Sequence, residues 1–249
     1  MNSVEKTLVV LRALAGHDRP RSLADIAQRT GINKTTVHRI LQIFIAQGYA
    51  VTRGDGTYAS GPAMLTLAGA ALTDRDVTAL VRPILENLQR HSTHTVHFAV
   101  RSGSAAVYLA KIESQQPYRM ASRVGTQIAL HCTAIGKAIL AHLPEEEVRA
   151  VVAATSPLMR NTANTIVDRN LLMAELEAVR RRGYAIDDEE NEANVRCVGA
   201  VVQDGAGTAV GAVSVAGLTL SLGADDVPLL GPLVVAAAAR VSAALGRTA

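Results

Sequence analysis

Apolar positions in the first sixty residues recur with a helical period in three short blocks and then switch to alternation. In "SVEKTLVVLRALAG", Val4, Leu8, Leu11 and Leu14 fall at helical spacing and predict one buried stripe, with Gly16 and Pro20 stopping the helix. "SLADIAQRTGI" predicts a second helix with Ser22 as N-cap and Asp25 three residues on, a variant of the capping box. Leu23, Ile26 and Ala27 form its inner face, and Gly31 supplies the tight turn that follows. A third helix starts after Asn33 in "NKTTVHRILQIFIAQG", with Val37, Ile40, Leu41 and Phe44 on one side. "GYAVTRGDGTYASG" then alternates Tyr49, Val51 and Tyr58 around Asp55-Gly56, a hairpin signal. Three helices closed by a hairpin make a winged helix-turn-helix over residues 1–60.

The next stretch, "GPAMLTLAGAALTDRD", is apolar at Met64, Leu65, Leu67, Ala68, Ala71 and Leu72, which covers much of a helix surface. A linker helix over 61–76 with that surface is expected to be covered by a second subunit or a neighbouring domain. From residue 77 to 249 the pattern is mixed. "VTALVRPILENLQRHS", "TAIGKAILAHL", "PEEEVRAVVAAT", "DRNLLMAELEAVRRRG" and "ADDVPLLGPLVVAAAARVSAALG" read as helices. "HTVHFAVRSGSAAVYLAKIES" and "VRCVGAVVQDGAGTAVGAVSVAG" read as strand pairs. The expected class is α+β, with an α/β domain of the kind that frames a ligand pocket.

Composition changes this picture little. With 49% hydrophobic residues the chain supports a packed core, and 3% aromatics means that core is built from Ala, Val and Leu. No basic segment followed by an apolar run marks a leader, and the run Pro228 to Ala239 reads as too short to span a bilayer. Two cysteines, Cys132 and Cys197, make no disulfide framework. The expected setting is cytoplasmic, with no membrane partner. Charge is more informative. Residues 1–60 hold eight basic and four acidic residues, a net +4, whereas the remainder is at −1. A basic head on a neutral body is expected to meet a polyanion.

On the third helix Lys34, Thr35, His38, Arg39 and Gln42 face away from the apolar side. Donors on a helix that follows a short turn suit the major groove of double-stranded DNA. Arg39 matches the edge of guanine and Gln42 that of adenine. Lys34, Thr35 and Thr36 sit at the positive helix end, where backbone N–H groups also grip phosphate. Ser22 and, near the wing tip, Arg53 complete the DNA-facing candidates. The bland alternative is a three-helix bundle with a solvated polar face.

Longer motifs carry a resemblance. "SLADIAQRTGINKTTVHRILQIFIAQGY" in the head, with "MASRVGTQIALHCTAIGKAILAHLPEEEV" and "RGYAIDDEENEANVRCVGAVV" in the body, is similar to the IclR family of transcriptional regulators nearly end to end. The resemblance implies a GAF-like effector-binding domain and dimers that often pair into tetramers, and a dimeric reader is expected to bind a palindromic operator. It also implies a small effector, an organic acid or aromatic compound. Matching positions place Thr133, Ala134 and Ile135 ("LHCTAIGKA"), Asp187 and Cys197 ("AIDDEENEANVRC"), and Ser214 and Ala216 ("GAVSVAG") at the effector. Thr133 would cap the helix whose free N–H groups at Ala134 and Ile135 bind a carboxylate. Ala129 stands where many relatives have Pro, which loosens the entering loop. Ala216 stands where some acid-binding relatives have Ser, which favours a bulkier effector.

Sharper chemistry is weighed against these readings. Cys132 beside His131, with Asp187 elsewhere, suggests a nucleophile, yet neighbours on a strand point to opposite faces, so a structural Cys is expected. His91, His94 and His97 recur every third residue, but a helix break separates the first, and the others face opposite sides of a strand. They read as surface or satisfied histidines rather than metal ligands. "GAGTAVG" has the wrong spacing for a nucleotide fingerprint and reads as a hairpin turn. "AIGKA" lacks the rest of a phosphate loop. "DDEE" (Asp187 to Glu190) reads as solvated acids with Asp187 turned inward. No cofactor, metal or catalysis is expected. The competing classes are an enzyme using Cys132 or Cys197, and a protein-interaction module without a ligand.

Overall fold

The computed structural model describes residues 1–15, 20–53, 55–64, 66–67 and 77–246. The chain separates into two compact units, Met1–Asp76 and Val77–Ala249. The first unit holds α1 (Ser3–Ala15), β1 (Arg21–Ser22), α2 (Leu23–Thr30), α3 (Lys34–Ala46), β2 (Ala50–Thr52) and β3 (Thr57–Ser60). Its core joins Val10, Leu14, Ile26, Val37, Ile40, Leu41, Phe44 and Tyr58. Ser22 Oγ accepts the Asp25 amide at 3.2 Å, and Gly31 ends α2 at φ 65°. The wing is a three-stranded antiparallel sheet in the order β1-β3-β2.

One apolar stripe is buried only in part: Leu14 is in the core and Leu11 packs against it. Val10 and Leu14 are the buried residues of α1, whereas Val4 and Leu8 are 66% and 50% exposed. The later turns of the helix are thus covered within their own unit, while the apolar residues Val4 and Leu8 of the earlier turns are not. Gly16, expected to stop α1, lies outside the described residues, as do Leu65, Ala68, Ala71 and Leu72 of the linker; residues 62–64 and 66–67 are helical.

The second unit is a six-stranded antiparallel sheet with helices on both faces. Along the chain come α4 (Val77–Ser92), β4 (Thr95–Ser102), β5 (Ala105–Ile112), β6 (Gln127–Ala129), α5 (Ala134–Ala141), α6 (Glu145–Ala154) and α7 (Arg169–Arg182). They are followed by β7 (Ala185–Asp188), β8 (Val195–Gln203), β9 (Ala209–Leu218) and α8 (Val227–Gly246). Strand order is β6-β5-β4-β9-β8-β7. Strand alternation sorts the two faces. Val96, Phe98, Val198, Val213 and Val215 meet α4 and α8, while Ala99, Ala106 and Ala212 meet α5, α6 and α7. The short edge strand β6 gave no pattern in the sequence.

The run read as Pro228 to Ala239 belongs to a longer helical segment, Ala224–Gly246, with a mean hydropathy of 1.7. By length and composition that segment is sufficient to cross a membrane, so shortness does not exclude it. Val227, Leu230, Val234, Ala237, Ala238 and Val241 nonetheless pack against the sheet and α4.

Candidate functional sites

The nucleic-acid candidates converge on one helix and the wing. Asn33 Oδ1 accepts the Thr36 amide at 2.8 Å, which fixes the start of α3 and leaves the Lys34 and Thr35 amides without a partner among the described residues. Lys34, Thr35, His38, Arg39 and Gln42 are exposed and Thr36 is half-buried. Gln42 Nε2 lies 3.3 Å from His38 Nε2, so the two side chains are oriented together. Asp25 pairs with Arg21 at 2.7 Å and Arg29 at 3.3 Å, neutralising part of the basic head. Lys34, Arg39 and Arg53 form no ion pair among the described residues, so their charge remains available. Arg53 is exposed at the hairpin, where Asp55 Oδ1 accepts the Thr57 amide at 3.0 Å and Gly56 adopts φ 75°. Ser22 is also exposed, though its hydroxyl already caps α2.

In the second unit a cavity of about 380 Å³ lies on the α5 side of the sheet. Thr133, Ala134, Ile135, Asp187, Cys197, Ser214 and Ala216 all line it. The floor follows from register: Asp187 pairs with Cys197 and Cys197 with Ala216, one row across β7, β8 and β9, while Ser214 pairs with His97 of β4 in the neighbouring row of the same face. Above it stands the start of α5. Thr133 Oγ1 accepts the Gly136 amide at 3.0 Å and donates to the Ala129 carbonyl at 2.7 Å. The amides of Ala134 and Ile135 have no partner among the described residues, as expected in a first helical turn. Two glycines allow this closeness. A Cβ at Gly199 would lie 2.9 Å from the Ala134 carbonyl, and one at Gly136 would lie 2.3 Å from Leu130 Cα.

Two loops wall the cavity. Lys111 Nζ donates to the Met120 and Ser122 carbonyls at 2.7 and 2.9 Å, and Ser122 Oγ bonds His97 Nε2 at 2.7 Å. Tyr118 bonds Ser221 and accepts the Leu218 amide at 3.2 Å, fastening the same loop beside β9. On the other side Thr162 and Thr165 donate to the Glu189 and Glu190 carbonyls, each at 2.6 Å, and Asn161 reaches Asn191 Oδ1 at 3.2 Å.

Several wall residues were not among the site candidates: His97 was read only within its histidine series, Ser122, Asn191 and Glu192 lay unmarked inside longer motifs, and Tyr108 and Asn161 carried no motif signal. His97 is neither on the surface nor fully satisfied. It is buried against Tyr108, ring centroids 4.7 Å apart, and its Nδ1 has no partner among the described residues. Burial, aided by the Lys111 charge, pushes its pKa down to about 3. His94 is buried ahead of β4 rather than on the strand, and His91 is exposed.

The "DDEE" run is not solvated throughout. Asp187 is 2% exposed and Glu190 is buried, its carboxylate paired with Lys137. Lys137 is 1% exposed and also reaches Glu175 at 3.3 Å. Asp187 Oδ1 accepts the amides of Glu190 and Asn191 at 2.9 and 3.2 Å. Burial outweighs those bonds and raises its pKa to about 7. Residues 130–133 form a bend rather than a strand, so the expected opposition of His131 and Cys132 has no strand to enforce it. His131 Nε2 instead meets the Met159 carbonyl at 2.9 Å. Cys132 is buried, and burial with Asp187 and Glu190 nearby lifts its pKa to about 12, so it is no thiolate nucleophile at neutral pH.

A basic three-helix reader and a lined cavity, each in its own unit, make a family assignment decisive. Residues 3–54 match the IclR helix-turn-helix domain, and residues 69–243 match the bacterial transcriptional regulator IclR C-terminal domain. The chain belongs to the IclR family. A curated relative, the HTH-type transcriptional repressor AllR of Salmonella typhimurium, is 31% identical over 98% of this chain and 90% of its own length. The crystal structure of an IclR transcriptional regulator from Alicyclobacillus acidocaldarius matches with a TM-score of 0.84 at 27% identity, covering 98% of each chain. An IclR homolog from Microbacterium hydrocarbonoxydans, complexed with 4-hydroxybenzoate, shares the fold with a TM-score of 0.83 at 19% identity, covering 99% of this chain and all of that one. This IclR-family protein is thus a transcription regulator with a DNA-binding head and an effector-domain body, not an enzyme.

Proposed function

We propose that this IclR-family regulator binds a palindromic operator as a dimer, or a dimer of dimers, and that a small organic-acid or aromatic effector in the 380 Å³ cavity changes its hold on DNA or its recruitment of polymerase. The observation that carries the reading is that lined cavity beside an unengaged helix start, in a chain whose head presents Lys34, Arg39 and Arg53 without an ion pair among the described residues. AllR is named a repressor, and 4-hydroxybenzoate occupies the Microbacterium homolog; repression relieved or enforced by a small acid is the reading these relatives favour. Effector binding acts by favouring one arrangement of paired heads over another.

In the proposed DNA contact Arg39 reads a base, whereas Lys34 holds phosphate. Genomic fragments captured by the tagged protein supply the operator. On it, Arg39→Ala is expected to cost about 1–3 kcal/mol and to relax discrimination at one base pair. Lys34→Ala should weaken all duplexes alike and lower the salt slope by about one. Quantitative gel shifts at two salt concentrations separate these. Equal affinity of the wild type for operator and random duplex near physiological salt would end the proposal.

A further inference from the structure

A second cavity, of about 350 Å³, shares part of a wall with the first: Ala129, His131 and Met159 line both. Its other sides come from Val151, Val152 and Thr155 at and just past the end of α6, and from Leu130, Leu140 and Leu158. The two cavities differ in chemistry. Asp187 and Glu192 line the first, whereas no Asp, Glu, Lys or Arg lines the second among the described residues. A charged molecule would lose its hydration there and meet no counter-charge, so the space suits a neutral one. A closed apolar cavity of about 150 Å³ takes up benzene, so this one has room for a substituted ring. Met159 favours an aromatic ring, because a thioether sulfur packs well against ring edges. His131 supplies one polar contact. Its Nε2 gives a proton to the Met159 carbonyl at 2.9 Å, which leaves Nδ1 of the neutral ring as an acceptor without a partner among the described residues. The Thr155 hydroxyl is already spent on the Val151 carbonyl at 2.9 Å.

We propose that this cavity is a second ligand site, taking a neutral one-ring aromatic molecule with a single hydroxyl, of the phenol class, and that its occupancy is passed to the first cavity through the shared wall. The route is short. The Ala129 carbonyl accepts from Thr133 Oγ1 at 2.7 Å, and the same oxygen accepts the Gly136 amide at 3.0 Å to cap α5. A ring that presses on Ala129 or Met159 therefore moves the cap that fixes the start of α5, and with it the free Ala134 and Ile135 amides. The coupling rests on the first cavity being the effector site; the second site itself does not.

The probe is phenol, with benzoate as its charged counterpart, on the full-length protein labelled at the methyl groups of Ile, Leu, Val and Met. Leu130, Leu140 and Val151 line the second cavity and not the first; Ile128, Ile135 and Val195 line the first and not the second. Phenol should shift the Leu130, Leu140 and Val151 methyl signals along a saturating curve, with a Kd below about 1 mM. Benzoate should leave those three in place at about tenfold higher concentration. Val151→Phe fills the cavity and Thr155→Phe narrows its rim, and each should weaken phenol at least about tenfold. Thr155 is exposed, so its variant should keep the thermal midpoint even where the Val151 variant loses stability. On an operator captured from genomic fragments, saturating phenol should change wild-type affinity at least about fivefold and leave that of Thr155→Phe unchanged. Phenol shifts confined to Ile128, Ile135 and Val195, equal shifts of the second set by benzoate, or binding undiminished in every variant that folds overturns the site. Methyl shifts without any change on the operator overturn the coupling. Wild-type protein that captures no operator fails the regulator reading instead, and the methyl titration still decides the second site.

Discussion

Asp187 shows how one residue can be legible by type yet not by state. Its place in "AIDDEENEANVRC" marks it as inward, but only packing sets its protonation. Burial raises its pKa from 3.8 to about 7; the Glu190 and Asn191 amides and Lys137 oppose the rise, and Glu190 adds to it. Glu192 and Cys197 also face this end of the cavity. The folded state therefore binds more protons than the unfolded one between about pH 4 and pH 7. The stability tied to this group is fully present below pH 4 and is lost as pH rises through about 7. Asp187→Asn removes the titration and keeps the acceptor. Differential scanning calorimetry of the ligand-free protein should give the variant a higher midpoint than the wild type at pH 8, with the gap closing near pH 5. An equal gap at both values would show that the buried charge is not the cause. Glu190 taught the opposite lesson: its partner Lys137 is 53 residues away, so nothing local distinguished it from a solvated acid.

Among elements, α5 is the one on which the candidate effector site depends, and its sequence motif is a packing requirement. Gly199 lets the helix start rest directly on β8, and the same contact aims the Ala134 and Ile135 amides into the cavity. Gly199→Ala would push a methyl group to 2.9 Å from the Ala134 backbone, which has no flexible end to yield. The expected cost is about 1–3 kcal/mol in stability, with affinity for a bound acid falling at least about tenfold as the helix start shifts. Operator affinity without effector should hold. Gly205→Ala, whose methyl would meet nothing nearer than 3.8 Å, is the control and should leave midpoint and affinity unchanged. Thermal denaturation and calorimetry on both variants decide it, and equal effects would refute the packing account. Periodicity located the helices and the long strands because each repeats its pattern over two turns or more. It missed β6, three residues long, and placed Val4 and Leu8 of α1 inside with Leu11 and Leu14, because a period shows that a face is apolar but not what covers it.

At the scale of the whole molecule the exposed half of that stripe acquires a use. Val4 and Leu8 lie one turn apart on α1 and stay exposed, although Val10 and Leu14 anchor the same helix firmly in the core. An apolar face left bare beside a DNA-reading helix is the surface the proposed dimer would cover, since two paired heads must present two copies of α3 to one operator. Because both positions are exposed within their own unit, Val4→Glu with Leu8→Glu should change the thermal midpoint of the monomer little, by the equivalent of about 0.5 kcal/mol at each site. Across a two-fold interface the same charges face one another and apolar burial is lost from both sides. Light scattering should then show dimers giving way to monomers at concentrations where the wild type stays paired. Affinity for a palindromic operator should drop toward that for a single half-site, with the half-site affinity itself unaltered. Leu171→Glu, an equally exposed apolar position on α7, should leave both quantities as they were. If the α1 variant remains as dimeric as the wild type, the pairing surface lies elsewhere and α1 only supports the head that carries it.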